Sequence, residues 1–274
     1  MTLEKMGFVN IAYPQHLRAA VENAIVSWRV FCILPSEIKT QFAYCNEGQP
    51  SGSGYELKEE KGSKRDLKEN FQVNLGHYAR LDAIAKKVNN PQALRFIHDA
   101  HQLIRLATPL IEQFAINLQE TYGIEGLVAD TLDNINYWIL RYLHYFGDRH
   151  VGEEIAAPHA DKCGFTLHLY ESDAGLQYLD IHTREWRPMP VHAGQTAIIP
   201  SMQVQLRSNG QLRALYHRVV ATERTAQIGR FSMVCFVDLT RTPVYNKSAL
   251  GRMQDYQVGF NYDLAPTDFS KLFS

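Results

Sequence analysis

The chain has 274 residues, 45% hydrophobic and 21% charged, and its 28 basic and 29 acidic side chains leave a formal charge of −1. That composition suits a globular protein with a sizeable core, and it supplies no field to attract nucleic acid or an anionic membrane. Cys32, Cys45, Cys163 and Cys235 show no C-x-x-C spacing, no apolar run reaches membrane-span length and no basic-then-apolar leader opens the chain, so a structural zinc site, a disulfide framework and a secreted or membrane setting are not expected, and a cytoplasmic one is.

In chain order, Leu17, Val21, Ala24, Ile25 and Trp28 recur at helical spacing between Pro14 and Pro35, which predicts a helix there. Ser36 is placed to cap a short helix in SEIKTQFAYC. GQPSGSGY reads as a loop, and the mixed-sign run KEEKGSKRDLKEN as a solvated surface loop. Leu94, Ile97, Ile104, Ala107, Leu110, Ile111, Phe114 and Leu118 mark one long amphipathic helix that Gly123 ends. Residues 1–136 are therefore expected to form a helical N-terminal region.

After Tyr137 the texture changes. YWILRYLHYF, GFTLHLY, GLQYLDI, REWRPMPV, QTAIIP, YHRVVA and RFSMVCFVDL are short, aromatic and β-branched, with turn residues such as ESDAG and RSNGQ between them. Such segments predict an antiparallel sandwich or barrel over residues 137–274, with the helices packed on one face and the two regions forming one compact domain.

Three residues stand out for chemistry. In an extended APHADKC, His159 and Asp161 are i and i+2 and face the same way. His217 in YHRVV is the candidate third partner, brought beside them by a returning strand. Two imidazoles and one carboxylate form the facial triad of non-haem Fe(II) sites. His168 and His182 lie on expected strands without a carboxylate at i+2 and read as wall or surface residues, and His144 and His150 carry no assignment. Arg230 and Ser232 in GRFSM are again i and i+2, on a strand so apolar that an inward arginine needs an anion. Arg218 should point the other way.

These runs resemble the isopenicillin N synthase-like iron/2-oxoglutarate dioxygenases. HADKCGFTLHLYESDAGLQYL is similar to that family's H-x-D-x-G-x-x-T-L-L run with its G-L-Q-V. The H-R-V of YHRVV and the R-x-S of RFS follow at the family's places, FCILPSEIK resembles F-F-x-L-P-x-E-x-K, and DLKENF resembles D-x-K-E-x-F. The resemblance implies a double-stranded β-helix (jelly-roll) core, Fe(II) on His159, Asp161 and His217, and the far carboxylate of 2-oxoglutarate on Arg230 and Ser232. LRYLHYF resembles L-R-L-N-Y-Y-P, which implies a cosubstrate role for Tyr145 and puts Leu143 in place of the Asn. Cys163 departs from the usual Gly, Met202 stands near a usual Asp, and the P-x-I-D strand that often opens such chains is not visible.

The implied activity is oxidation of a small-molecule substrate by O2, with 2-oxoglutarate converted to succinate and CO2 and ascorbate as a possible reductant. Two alternatives stay open. One is a 2-oxoglutarate-independent iron oxidase or oxidative cyclase, in which Arg230 and Ser232 hold a substrate carboxylate. The other is a jelly roll that binds a ligand without turnover.

Overall fold

The segments of alternating residues after Tyr137 become strands, and three short strands from the front of the chain join them. The computed structural model describes residues 3–49, 51–58, 67–243 and 269–273. Among these the strands are β1 (Val9–Ala12), β2 (Gly54–Lys58), β3 (Lys68–Val73), β4 (Ile139–Tyr145), β5 (Glu154–His159), β6 (Phe165–Glu171), β7 (Leu176–Leu179), β8 (Trp186–Pro188), β9 (Gln195–Pro200), β10 (His217–Val220) and β11 (Arg230–Val237). They form a seven-stranded sheet, β1-β9-β6-β11-β4-β3-β2, and a four-stranded sheet, β5-β10-β7-β8. All pairings between these strands are antiparallel.

The helices Gln15–Cys32 and Pro91–Tyr122 cover the outer face of the large sheet. The long helix is capped by Asn90, whose side chain accepts from the Gln92 and Ala93 amides, and it ends at Gly123 in the left-handed region. Trp28, Phe31 and Phe96 pack there against Phe71 and Tyr142, with ring centroids 4.9–5.8 Å apart. Alternation then sends the other side chains of the same strands inward. On β4 Leu140 and Tyr142 join the helical layer, while Leu143 and Tyr145 join the apolar cluster between the sheets with Ile155, Leu176, Val219 and Val234.

One irregularity bears on function. On β11, Ser232 pairs with Glu171 and Met233 with Tyr170, but Val234 pairs with His168, so Leu169 is an extra residue on β6. This bulge turns both Leu169 and Tyr170 toward the helices and brings Glu171 back to the interior beside Ser232. Gly175, with φ +120°, then turns the chain into β7 against the Val220 carbonyl.

Several expectations need correction. The front of the chain is not only helical, because β1 edges the large sheet by pairing with β9 and β3 pairs with β4. A short strand does open the described chain at VNIA, held by its pairing with β9 and not by its own pattern. Ser36 is the first residue of its short helix and makes no cap; Pro35 precedes it. The loop reading of GQPSGSGY fails at its end, where Gly54 and Tyr55 begin β2. The charged run is not simply solvated. Lys68, Glu69 and Asn70 lie in β3 with Glu69 only 2% exposed, while residues 59–66 fall outside the described residues.

Candidate metal centre

β5 ends at His159 and β10 begins at His217, and the two are register partners. Their rings therefore lie side by side, centroids 4.4 Å apart. The strand does not extend to Asp161, as the i, i+2 argument assumed. Asp161 stands just beyond it, where its carbonyl accepts from the Met202 amide at 2.9 Å. Its carboxylate is aimed by Thr166, whose hydroxyl donates to Oδ2 at 2.7 Å. His159 Nε2 is 3.6 Å from Asp161 Oδ1, His217 Nε2 is 3.9 Å from Oδ2, and the donor atoms all lie within 4.8 Å of one another.

The chemistry of the donors fits a divalent metal. His159 Nδ1 donates to the Ala157 carbonyl at 2.7 Å and His217 Nδ1 to the Leu215 carbonyl at 3.0 Å. A carbonyl only accepts, so the proton is on Nδ1 in both rings and the Nε2 lone pairs are free to coordinate. Burial and the nearby His159 push His217 down to about 4 against the pull of Asp161, which keeps it neutral at physiological pH. Burial raises the Asp161 carboxyl, but the two imidazoles and Thr166 outweigh it and hold the group below its usual value, so it is an anion. With bonds of about 2.0–2.2 Å to one ion, neighbouring donors come to roughly 3–3.5 Å apart, a small contraction of the observed spacing.

A cavity of about 320 Å³ opens beside these residues, lined among others by Tyr145, Leu143, Arg230, Ser232 and Arg141. Tyr145 sits under the Lys68 ammonium, 5.3 Å from its ring centroid. Arg141 was not singled out from the sequence. Its Nη2 donates to Gln72 Oε1 at 2.9 Å, its guanidinium lies over Phe236, and its buried Nε has no acceptor among the described residues.

Arg230 is buried and faces inward, but its anion comes from the protein. Glu171 Oε2 is 2.6 Å from Arg230 Nη2, and Oε1 lies 2.9 Å from His168 Nδ1. Burial raises the Glu171 carboxyl, and the charge of Arg230 with hydrogen bonds from His168 and Ser232 more than reverses this, so Glu171 is ionised. His168 is thus a wall residue, buried and edge-on to the His217 ring. His182 is exposed in a turn and not on a strand, and His150 is exposed in the turn before β5. Arg218 points away and binds Gln177 and Glu154. Cys163 is buried beside the Thr166 hydroxyl, and Met202 begins a short buried helix.

Residues 135–239, from just before β4 to just past β11, match the model of the 2OG-Fe(II) oxygenase superfamily. No curated protein matches the chain. Among solved structures, a full-length Neurospora crassa protein in complex with alpha-KG aligns at TM-score 0.71 and 17% identity, covering 87% of this chain and 77% of that one. The rice dioxygenase for auxin oxidation aligns at 0.65 and 21%, covering 99% and 91%. Dioxygenase for auxin oxidation 1 from Arabidopsis thaliana, in a 2-oxoglutarate complex, aligns at 0.65 and 19%, covering 86% and 84%. The shared fold is the jelly roll expected from the sequence.

Proposed function

From the match of residues 135–239 to the model of the 2OG-Fe(II) oxygenase superfamily, we propose that His159, Asp161 and His217 hold Fe(II). Tyr145, Arg230 and Ser232 receive 2-oxoglutarate, and a small organic substrate enters the adjoining cavity. The observation that carries this reading is the pair of Nδ1 anchors, which aim two Nε2 lone pairs at one point beside an ionised, Thr166-held carboxylate. When bound, Fe(II) supplies the oxidative chemistry, coupling decarboxylation of 2-oxoglutarate with O2 to oxidation of a substrate C–H bond.

The chain's own part is positioning. Leu143 and Val234 make the cavity wall apolar and keep water from the reacting carbon. Arg141 lines the cavity, and its guanidinium is a cation for a carboxylate or carbonyl oxygen of the substrate. A small molecule with an anionic or carbonyl group is therefore the expected class. The Neurospora crassa protein, captured elsewhere with thymine, and the auxin-oxidising enzymes set the same scale.

The test is succinate release from 2-oxoglutarate with Fe(II) and ascorbate, screened over small carboxylates and cyclic carbonyl compounds. Stimulated succinate release supports the reading. Substrate oxidation that does not need 2-oxoglutarate supports the oxidase or cyclase alternative, which one observation favours: Arg230 is already paired with Glu171.

A further inference from the structure

The place where the far carboxylate of the cosubstrate is expected already holds a carboxylate. Glu171 is the register partner of Ser232, and the β6 bulge turns its side chain inward. Its oxygens lie 2.6 Å from Arg230 Nη2 and 2.9 Å from His168 Nδ1, beside its register partner Ser232. Both Arg230 and Glu171 are almost wholly buried, with side chains 1% and 4% exposed. The guanidinium assigned to 2-oxoglutarate is thus ion-paired with the same functional group from within, while Nη2 and Oε2 themselves have no hydrogen-bond partner among the described residues. A second carboxylate brought to the same guanidinium meets like charge in a poorly solvated site, and one of the two must give way.

The surroundings decide which one moves. A second cavity of about 320 Å³ lies behind the pair, lined by Asp173, Met189 and His192, and it shares Glu171, Leu176 and Arg230 with the metal cavity. The ion pair is therefore a partition between two spaces. Arg230 is tethered on its far side, where Nε donates to the Asp173 carbonyl at 3.3 Å. Among the described residues no backbone group tethers the Glu171 carboxylate, and a rotation about its side chain carries that group toward the second cavity and His192.

We propose that Glu171 is a resident carboxylate that occupies the Arg230–Ser232 receptor until 2-oxoglutarate displaces it toward the second cavity, and so sets the affinity for the cosubstrate. This rests on the assignment of Arg230 and Ser232 to 2-oxoglutarate. It makes Glu171 a positioning residue for cosubstrate choice. A 2-oxo acid without a second carboxylate has nothing with which to displace it.

The test is calorimetric titration of the intact, zinc-loaded protein with 2-oxoglutarate. Glu171→Gln keeps the shape and removes the competing charge. It should bind 2-oxoglutarate at least tenfold more tightly than the wild type, and 2-oxobutyrate no more tightly. Equal or weaker 2-oxoglutarate binding by a folded Glu171→Gln overturns the proposal. If that variant does not fold, a crystal structure of the wild type with zinc and 2-oxoglutarate decides. Glu171 turned into the second cavity supports displacement, and Glu171 still on Arg230 refutes it. Should neither protein bind 2-oxoglutarate while both bind zinc, the cosubstrate assignment itself fails, and Glu171 is a permanent counter-ion.

Discussion

Thr166→Val isolates one hydrogen bond of the candidate metal centre. The Thr166 side chain is fully buried, and its hydroxyl donates to Asp161 Oδ2 at 2.7 Å. Valine replaces the hydroxyl with a methyl of nearly the same size, so the packing is retained while the carboxylate loses its orienting donor. A hydrogen bond to a charged group contributes about 1.5–3 kcal/mol. At roughly 1.4 kcal/mol per decade this predicts metal binding about 10- to 100-fold weaker, the range expected when an outer partner of a ligand is removed. Zinc or nickel affinity, measured by competition with a chelator and with far-UV circular dichroism as the check on folding, reads the effect. The loss should appear in metal affinity and not in 2-oxoglutarate binding to the residual metal-loaded fraction. A folded Thr166→Val protein with wild-type metal affinity would refute the assignment of Asp161 as a ligand held by Thr166.

His217→Ala should abolish turnover and cost most of the metal affinity while leaving the circular dichroism spectrum native, because apolar packing on both sides of the large sheet holds the fold without metal; unfolding on metal removal from the wild type would contradict this. Arg230→Leu should weaken 2-oxoglutarate binding and also destabilise the protein by about 3–5 kcal/mol, since it strands the buried Glu171 charge. Adding Glu171→Gln should restore most of that stability and none of the lost binding, as denaturant titration and calorimetry will show. The Glu69 carboxyl is held at about 2, below its usual 4.5: burial raises it, and His144, Lys39 and Tyr55 more than reverse this. The folded value lies below the unfolded one, so its stabilisation is present above about pH 4.5 and is lost as the pH falls toward 2. Wild type should lose about 3 kcal/mol across that window, at about 1.4 kcal/mol for each pH unit between the two values, and a similar loss in Glu69→Gln would rule out this source.

The candidate metal residues, which the structure brings together, were legible because their signal is local or survives at a distance as a type. His159 and Asp161 are adjacent but one, His217 is a histidine opening a buried strand, and Arg230 is a charge in an apolar run. Glu171 was invisible for a different reason. Plain alternation from Thr166 and His168 points Tyr170 inward, and only the bulge at Leu169, set by pairing with β11, reverses this. The strands VNIA and KENFQV were equally hidden. Each is short and weakly patterned, and each exists because β9 or β4 supplies a partner. Glu69 looked solvated within its charged run, because the groups that make its burial tolerable lie far off in the chain, at Lys39, Tyr55 and His144.

That last cluster shows why donor types alone do not make a metal site. Cys32, Glu69 and His144 also bring their ligand atoms within 4.8 Å of one another. Yet the cation is already there: the Lys39 ammonium is 2.7 Å from Glu69 Oε2. Burial, with Glu69 adding to it, pushes the Cys32 thiol up and keeps it protonated, which removes the thiolate a metal needs. His144 spends Nδ1 on Glu69 and lies flat on Phe231, rings 4.1 Å apart. At His159, Asp161 and His217 each of these conditions is reversed. The Nδ1 protons go to backbone carbonyls, His217 is neutral, and no ammonium or guanidinium hydrogen-bonds the Asp161 carboxylate among the described residues. The first arrangement satisfies its own charges and holds β3 and β4 to the helices. The second leaves two lone pairs and an anion converging beside a cavity, a balance that a divalent cation completes.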